Sequence, residues 1–232
     1  MSFPYRSALI VGAGTGISAS VAARLRAEGV EVGVAARNLE KLRAPAAAIG
    51  AHAFAVDATS ERSVAELFDL GTAALGSIEV VLYNAGARVR GAIAELDPGK
   101  VAQALAANAF GAFLVAQQAA RSMLPHGHGA ILFTGATASV KGFGGSAAFA
   151  MGKFALRGLA QSAARELGPR GIHVAHFVID GAVRSRSTPA LEDKPDSTLD
   201  PDAIAQTYLD VLRQPRSAWS QEVEVRPWIE RF

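Results

Sequence analysis

The chain has 232 residues, of which 50% are hydrophobic and 19% are charged, against about 25% charged residues in an average globular protein. It contains no cysteine, which excludes disulfide bonds within the chain and a thiolate nucleophile, and its net charge of +2 comes from cations scattered along the sequence, so we expect no nucleic-acid partner. A chain of this length can bury one large core, and we expect a single domain over residues 1–232.

The chain opens with a short apolar strand that ends in glycines and passes into a helix ending near Gly29. This order of strand and helix then repeats. Further strands are predicted at 30–36, 51–56, 78–83, 129–135, 172–179 and 222–227, and further helices at 39–49, 60–75, 98–124, 146–167 and 201–213. Apolar strands that alternate with helices predict an α/β fold with a doubly wound, Rossmann-like parallel sheet of about seven strands and helices on both faces.

A glycine-rich turn, VGAGTGIS at 11–18, joins the first strand to the first helix. Glycines there let the backbone approach a pyrophosphate whose charge rests on the helix N-terminus. The spacing differs from G-x-G-x-x-G, because the third glycine would fall on Ile17, and it fits a Gly-x-x-x-Gly-x-Gly turn with Ser18 in the last place. A glycine turn without a ligand is the alternative. We predict that the cofactor phosphates are held by Gly12, Gly14, Thr15, Gly16 and Ile17.

The second strand ends in Ala36-Arg37, about 20 residues further on, where an NAD site usually carries a carboxylate for the ribose. An arginine there attracts a 2′-phosphate, so we favour NADP(H) over NAD(H). An ordinary surface arginine is the alternative. After the third strand, Asp57 is predicted either to reach the adenine amino group or to cap the helix that begins near Ser60.

The fourth helix is predicted to begin with Asp97 as its N-cap and Pro98 in its first position, where no amide donor is needed. Its apolar stretch at 101–120 contains three glutamines and Asn108, which we consider too polar for a membrane span. We therefore expect a buried or interface helix and no membrane partner. The first residues lack a signal-peptide pattern, so a cytoplasmic protein is expected.

A lone lysine, Lys153, lies within the apolar helical stretch SAAFAMGKFAL at 146–156, with Phe149 one turn before it. Further on, the Pro-, Asp- and Ser-containing segment 184–200 follows the sixth strand, at the edge where such folds bind ligands. We predict a lid over a small-molecule substrate there, with a plain surface loop as the alternative.

These markers, taken in order along the chain, resemble the classical, single-domain branch of the short-chain dehydrogenase/reductase family. They comprise the glycine turn, Asp57, Asn84-Ala85-Gly86 after the fourth strand, Asn108 and Lys153, and they cover nearly the whole chain. The resemblance implies that Asn84, Ala85 and Gly86 form one wall of the cofactor cleft. It also implies that Val183 and Ser185 lie near the nicotinamide carboxamide, although the family usually has proline where this chain has Asp180.

The catalytic set of that family is Asn, Ser, Tyr and Lys. By position, Asn108 and Lys153 match the set, whereas Phe149 takes the tyrosine place and Ala136 the serine place. In the family's mechanism the tyrosine gives a proton to the carbonyl oxygen, while the lysine lowers the tyrosine pKa and holds the nicotinamide ribose. A phenyl ring donates no proton, and because general acid catalysis contributes about 10²–10⁴ in rate, ordinary ketone reduction by this route should be severely impaired.

Other hydroxyls lie near the missing pair. Ser146 is one helical turn before Phe149, so it is the candidate surrogate, and Thr134, Thr137 and Ser139 flank the empty serine place. Such residues more often bond local backbone groups. No metal-ligand spacing stands out in the sequence, and we expect no metal.

Three functions stay open. The first is an NADP-dependent reductase of an iminium, an activated alkene or a carbonyl that needs no tyrosine, with Phe149 presenting its ring to an apolar substrate. The second is a catalytically silent nucleotide-binding subunit, and the third is elimination or isomerisation in the same cleft. Members of the family commonly pair through the helices that correspond to 98–124 and 146–167, so we expect a homodimer or homotetramer, although the small residues of these helices serve a sheet contact equally well.

Overall fold

The computed structural model describes residues 3–229 and contains, within them, seven strands and seven α-helices. The strands are β1 Ser7–Val11, β2 Glu31–Ala36, β3 His52–Ala55, β4 Val80–Tyr83, β5 Gly129–Thr134, β6 Ile172–Ile179 and β7 Glu222–Val225. The helices are α1 Ile17–Ala27, α2 Leu39–Ala48, α3 Glu61–Leu75, α4 Pro98–Leu105, α5 Gly111–Met123, α6 Ala147–Leu167 and α7 Pro201–Leu212.

All seven strands form one parallel sheet in the order β3-β2-β1-β4-β5-β6-β7. The central β1 pairs with β2 on one side and with β4 on the other, so that Leu9 lies beside both Gly33 and Val81. The predicted doubly wound sheet is therefore confirmed. Because the chain winds outward in opposite directions from β1 and β4, a crevice opens at the carboxyl ends of these two strands, where folds of this kind bind ligands.

Two hydrophobic cores cover the two faces of the sheet. Successive residues of β1 alternate between them, with Ala8 and Ile10 in one core and Leu9 and Val11 in the other. Helices α1, α2 and α7 close the first core, and α3, α5 and α6 close the second. Burial on both faces explains why the strands are apolar throughout, without an alternating polar side.

Side-chain caps fix several helix starts. Asp97 accepts a hydrogen bond from the Lys100 amide at 2.7 Å and Pro98 begins α4, which confirms both predictions. Helix α3 is capped by Ser60, whose hydroxyl accepts from the amide of Ser63 at 3.3 Å. Asp57 is therefore not the cap of α3, because a residue closer to the first turn meets that need.

The helix predicted as continuous over 98–124 is interrupted by one π-helical turn, Ala106–Phe110, between α4 and α5. The hydroxyl of Tyr83 donates to the carbonyl of Ala107 at 2.5 Å, which satisfies an acceptor that the wider turn offers. Such turns recur at functional sites, and this one contains Asn108.

By length and mean hydropathy alone, the helical run Pro98–His126 is long and apolar enough to cross a membrane, with a mean hydropathy of 1.2 over its 18-residue window. The expectation that this stretch is too polar for a span is therefore wrong on those two criteria. They are weak criteria, because core helices of water-soluble proteins also meet them, and here α5 supplies buried residues such as Leu114 and Val115 to the second core.

Candidate active site

Two adjoining cavities lie along the carboxyl edge of the sheet and share Asn84 and Gly86 as lining residues. The cofactor-side cavity has a volume of about 500 Å³ and lies between the ends of β1, β2 and β3 and the π turn. The substrate-side cavity has a volume of about 640 Å³ and lies between the ends of β5 and β6 and the start of α6. Together they form an extended cleft that passes over the point where the strand order reverses.

The glycine turn is held against β4 by direct contacts. Gly12 has a φ of +88°, and a Cβ on it would collide with the backbone of Ala85. The amide of Asn84 donates from Nδ2 to Ser18 Oγ at 2.7 Å, and the Ser18 hydroxyl donates to the carbonyl of Gly12 at 3.2 Å. Close approach and positive φ both require glycine at position 12.

Gly14 and Gly16 serve no such contact within the protein. A Cβ at either position would meet no heavy atom of the described chain within 4 Å, and no side chain caps the first turn of α1. The turn thus leaves open space in front of a helix N-terminus, which is where the phosphates of a dinucleotide bind. Thr15 is exposed at its tip, and Ile17 lines the substrate-side cavity. The residues present therefore fit a dinucleotide.

Arg37 and Asp57 both line the cofactor-side cavity, and both are exposed to it. One carboxylate oxygen of Asp57 accepts from the hydroxyl of Thr59 at 2.7 Å and from its amide at 2.9 Å. These bonds, together with the weaker effect of the Arg37 charge, lower the pKa of Asp57. The cavity therefore presents one cation and one ionised carboxylate, while the end of β2 itself carries only the cation.

Lys153 projects from α6 and is 5% exposed. Its Nζ donates to the carbonyl of Thr134, the last residue of β5, at 2.7 Å. Burial, and then the charge of Arg88, lower the Lys153 pKa from 10.5 to about 8. An ammonium group that lines a cavity and titrates at about pH 8 is suited to proton transfer.

The structure brings Phe149, Ala136 and Ser146 together with Lys153 around the substrate-side cavity. Ser146 precedes α6 without capping it by a side-chain hydrogen bond. Ala136 contributes only a methyl group. This wall of the cavity is therefore apolar at the two places where the family resemblance predicts catalytic hydroxyls.

Two of the nearby hydroxyls are engaged inside the protein. Thr134 Oγ1 lies 2.8 Å from the hydroxyl of the buried Tyr208, and Ser139 Oγ accepts from the amide of Ala136 at 3.2 Å. Ser139 is fully buried and does not line the cavity, whereas Thr137 does. Thr137 and Ser146 are therefore the two members of the predicted hydroxyl group left facing substrate space.

The side chain of Asn108 lies behind the cleft and lines neither cavity. It is fully buried, and its Nδ2 donates to the carbonyls of Ala87 at 2.7 Å and Ala104 at 2.8 Å, while its Oδ1 accepts from the Ala87 amide at 3.3 Å. Its amide group therefore fixes the backbone that follows Gly86. The predicted catalytic role of Asn108 stays a prediction.

The far wall follows β6. Asp180 is buried, its amide donates to the carbonyl of Val225 at 2.9 Å, and its carboxylate lies 3.5 Å from Arg226. These contacts tie the start of the loop to β7, and Val183 then lines the cavity.

The segment 184–200 that follows is built of turns. Ser185 is exposed, with its hydroxyl 3.1 Å from that of Ser187, and it does not line the cavity, whereas Thr188 does. The segment thus reaches the cavity mouth at Thr188. Its movement as a lid and the cofactor contact of Ser185 stay predictions.

Arg88 and Arg90 also line the substrate-side cavity, and neither is among the site residues predicted from the sequence. The guanidinium carbon of Arg88 lies 4.6 Å from the centroid of the Phe149 ring, and Lys153 Nζ lies 5.8 Å from the same centroid. The available signal was the pair of arginines in ARVRG directly after Asn84-Ala85-Gly86. The predicted apolar face of Phe149 is therefore partly covered by a cation.

The described residues that line this cavity include three cations, Arg88, Arg90 and Lys153, and no aspartate or glutamate. Burial and the neighbouring charge of Arg90 lower the pKa of Arg88. Within residues 3–229, no group of three or more His, Cys, Asp or Glu is placed to hold a metal ion.

The chain was compared with protein-family models and with known proteins. The model of the short chain dehydrogenase family matches residues 6–196. The chain is 32% identical over 193 residues to the 3-oxoacyl-(acyl-carrier-protein) reductase MabA of Mycobacterium avium. The aligned residues make up 83% of this chain and 73% of that protein.

Solved structures agree over nearly the full length. The crystal structure of a short-chain dehydrogenase from Rhodopseudomonas palustris is similar with a TM-score of 0.84 and 37% identity, over 96% of this chain and 99% of that one. A metagenomic short-chain oxidoreductase in complex with NADP has a TM-score of 0.84 and 28% identity, over 99% and 100% of the two chains. The chain therefore belongs to the short-chain dehydrogenase family.

Proposed function

We propose that the protein is an NADP(H)-dependent oxidoreductase that reduces an iminium, an activated alkene or a carbonyl without a tyrosine acid. The observation that carries this proposal is the wall of the substrate-side cavity, where Lys153 faces the substrate space together with an aromatic ring and a methyl group. The cofactor half of the cleft keeps its glycine turn, whereas positions 136 and 149, predicted to hold two catalytic hydroxyls, have none. Reduction with a different proton source is consistent with both halves.

The preference for NADP(H) over NAD(H) is supported by Arg37. It lines the cofactor-side cavity at the end of β2, where a carboxylate would bind the ribose of NAD and repel a 2′-phosphate. A related structure, 28% identical, was solved in complex with NADP. Gly12, Gly14 and Gly16 would admit the pyrophosphate, and Asn84, Ala85 and Gly86 would form the facing wall.

Lys153 is the proposed proton donor. Bound NADPH would supply the hydride to the carbon of the reduced double bond. The Lys153 ammonium keeps two N–H groups beyond the one that bonds the Thr134 carbonyl, and with a pKa of about 8 it is protonated at neutral pH and can transfer a proton. An iminium needs no such proton, since it becomes a neutral amine on accepting hydride. Ser146 and Thr137 line the same cavity, so their hydroxyls can orient a substrate by hydrogen bonding.

The alternative of a catalytically silent nucleotide-binding subunit has one observation in its favour. Phe149 and Ala136 are both unable to donate a proton, while Gly12 and Gly16 of the glycine turn are retained. Under this alternative Lys153 serves only to contact the cofactor ribose, and NADPH binds without turnover.

A substrate panel tests the proposal. NADPH oxidation would be followed with cyclic imines, activated alkenes and ketones, with the wild type, Lys153→Met and Ser146→Ala. We expect turnover in at least one class, loss of turnover of substrates that need a proton in Lys153→Met, and a small effect of Ser146→Ala. NADPH binding without turnover of any member would favour the silent subunit.

We further propose that two copies of the chain pair through α5 and α6. Four large apolar side chains on and beside these helices are between 43% and 53% exposed: Phe110, Phe113, Met151 and Phe154. Phe110 and Phe113 also stack on one another, with ring centroids 6.3 Å apart. A surface of this composition on a water-exposed helix pair is typical of an interface between proteins.

A further inference from the structure

The two arginines of the substrate-side cavity have no partner of opposite charge among the described residues. No hydrogen bond or ion pair of residues 3–229 involves the side chain of Arg88 or Arg90, and the cavity lining contains no aspartate or glutamate. Elsewhere on the described surface some arginines form ion pairs, as Arg157 does with Glu222 at 2.6 Å, and others, such as Arg121, form none; Arg88 and Arg90 differ from the latter in that they line a cavity. Two unpaired cations beside a third, Lys153, repel one another.

The contact of Arg88 with Phe149 leaves its donors available. The guanidinium carbon lies over the ring at 4.6 Å from its centroid, and none of the guanidinium N–H groups forms a hydrogen bond among the described residues. Those donors match the two oxygens of a carboxylate. The ring thus holds the guanidinium in place in a cavity that, in this structure, offers it no anion.

We propose that Arg88, seated on Phe149 and assisted by Arg90, binds a carboxylate on the substrate, so that the enzyme acts on carboxylate-bearing imines, alkenes or carbonyls. This inference rests on the proposed function for the reaction, but the binding step stands apart from it. Lys153 lies 5.8 Å from the centroid of the same ring, which places the anchor beside the proposed proton donor. Phe149 then acts as a positioning residue for Arg88.

The test uses ligand pairs that differ by the carboxylate alone. For binding, pyrrole-2-carboxylate and pyrrole, neither of which is reduced, would be titrated into the NADP⁺ complex by calorimetry. For turnover, 1-pyrroline-2-carboxylate would be compared with 1-pyrroline, and acetoacetate with its methyl ester. The variants are Arg88→Gln and Arg90→Gln, and Arg62→Gln on the exposed face of α3 is the matched control.

We expect pyrrole-2-carboxylate to bind and pyrrole to bind at least about tenfold more weakly, since charged hydrogen bonds to a carboxylate are worth about that factor or more. Arg88→Gln should weaken the binding of pyrrole-2-carboxylate by about 10- to 100-fold and leave the affinities for NADPH and for pyrrole unchanged. The affinity should also fall as salt is raised. Phe149→Leu keeps the Arg88 cation but removes the aromatic ring beneath it. It should weaken the binding of pyrrole-2-carboxylate less than Arg88→Gln does.

Each other outcome has a defined meaning. Equal affinity for the two probes, or a parallel loss of NADPH binding in Arg88→Gln, overturns the inference, and the latter would assign the arginines to the cofactor phosphates. Turnover of neutral substrates without any preference for the carboxylate overturns the inference and leaves the proposed reductase standing. Carboxylate binding that depends on Arg88, without turnover of any substrate, supports the inference and counts against the reductase.

Discussion

The guanidinium carbon of Arg88 lies 4.6 Å from the centroid of the Phe149 ring, in the cavity that Lys153 also lines. An aromatic ring is therefore a platform for a cation at the place where the family resemblance predicts a proton-donating tyrosine. The same Arg88 charge lowers the pKa of Lys153. Arg88, the proposed anchor for a substrate carboxylate, thus also influences the acidity of the proposed proton donor, after the larger effect of burial.

Restoring the two hydroxyls should restore the usual chemistry. In the double variant Phe149→Tyr, Ala136→Ser, we expect ketone reduction to rise by about 10²–10⁴, because a phenol beside the Lys153 ammonium becomes a general acid. The measurement is the initial rate of NADPH oxidation with a ketone series. Phe149→Leu with Ala136→Ser is the control and should show no rise. An unchanged rate in a double variant that still binds NADPH would contradict the predicted alignment of positions 136 and 149 with the family's serine and tyrosine.

The pH dependence should follow Lys153. Burial lowers its pKa to about 8, so the protonated donor is present below that pH, and kcat/KM for a substrate that needs a proton should fall as the pH rises through about 8. In Arg88→Gln a neighbouring positive charge is gone, so the pKa of Lys153 rises and the descending limb should move to higher pH.

The pH profile of kcat/KM for both proteins tests this sign, and an NMR titration of the lysine would give the pKa directly. A limb that stays in place in Arg88→Gln, or moves to lower pH, would show that another group governs the rate. Arg62→Gln, which removes a distant charge, should leave the limb where it is.

Cofactor preference should depend on Arg37. We expect Arg37→Ala to weaken NADPH binding by about 10- to 100-fold, the value of one charged hydrogen bond to the 2′-phosphate, and to leave NADH binding almost unchanged. Quenching of protein fluorescence by each cofactor provides the dissociation constants. Equal losses for the two cofactors would mean that Arg37 does not contact the 2′-phosphate.

Two glycines of the glycine turn should respond differently to substitution, Gly12 in stability and Gly14 in cofactor binding. Gly12→Ala should lower the free energy of unfolding by about 1–3 kcal/mol or more, because a side chain at φ +88° is strained and collides with the Ala85 backbone. Gly14→Ala should change it by less than about 0.5 kcal/mol, since its Cβ meets no protein atom, yet should weaken NADPH binding. Denaturant unfolding and cofactor titration of both variants check the pair, and normal NADPH binding by Gly14→Ala would exclude a close approach of the cofactor there.

If two copies pair as proposed, replacing one exposed phenylalanine of α6 should lower the molar mass of the protein in solution. Phe154→Glu in α6 should shift the chain toward monomer in gel filtration with light scattering at two concentrations, because a charge would be buried in an apolar interface. Leu70→Glu is the control, since Leu70 is a similarly exposed apolar residue on α3. A wild-type chain that is already monomeric at both concentrations would refute the proposal.

Much of the fold follows from local patterns in the sequence. Strand and helix periods, the Asp97 cap and the glycines after β1 are each set by neighbours a few residues apart, so the seven-stranded parallel sheet and the location of the cofactor turn could be predicted. The helix interruption at Asn108 was not predicted, and one contact made there is non-local: the hydroxyl of Tyr83, a residue of β4, donates to the carbonyl of Ala107. A helical pattern carries no sign of that distant partner.

The sequence by itself determined the family, the sheet and the absence of hydroxyls at positions 136 and 149. Only the tertiary structure decided which polar groups face the substrate space. The hydroxyl of Thr134 is hydrogen-bonded to Tyr208 and that of Ser139 to the Ala136 amide, and Arg88 lies over the ring of Phe149. The physical reason is that the direction and hydrogen-bond partner of a side chain are set by packing between elements far apart in the chain, which residue type and spacing do not encode.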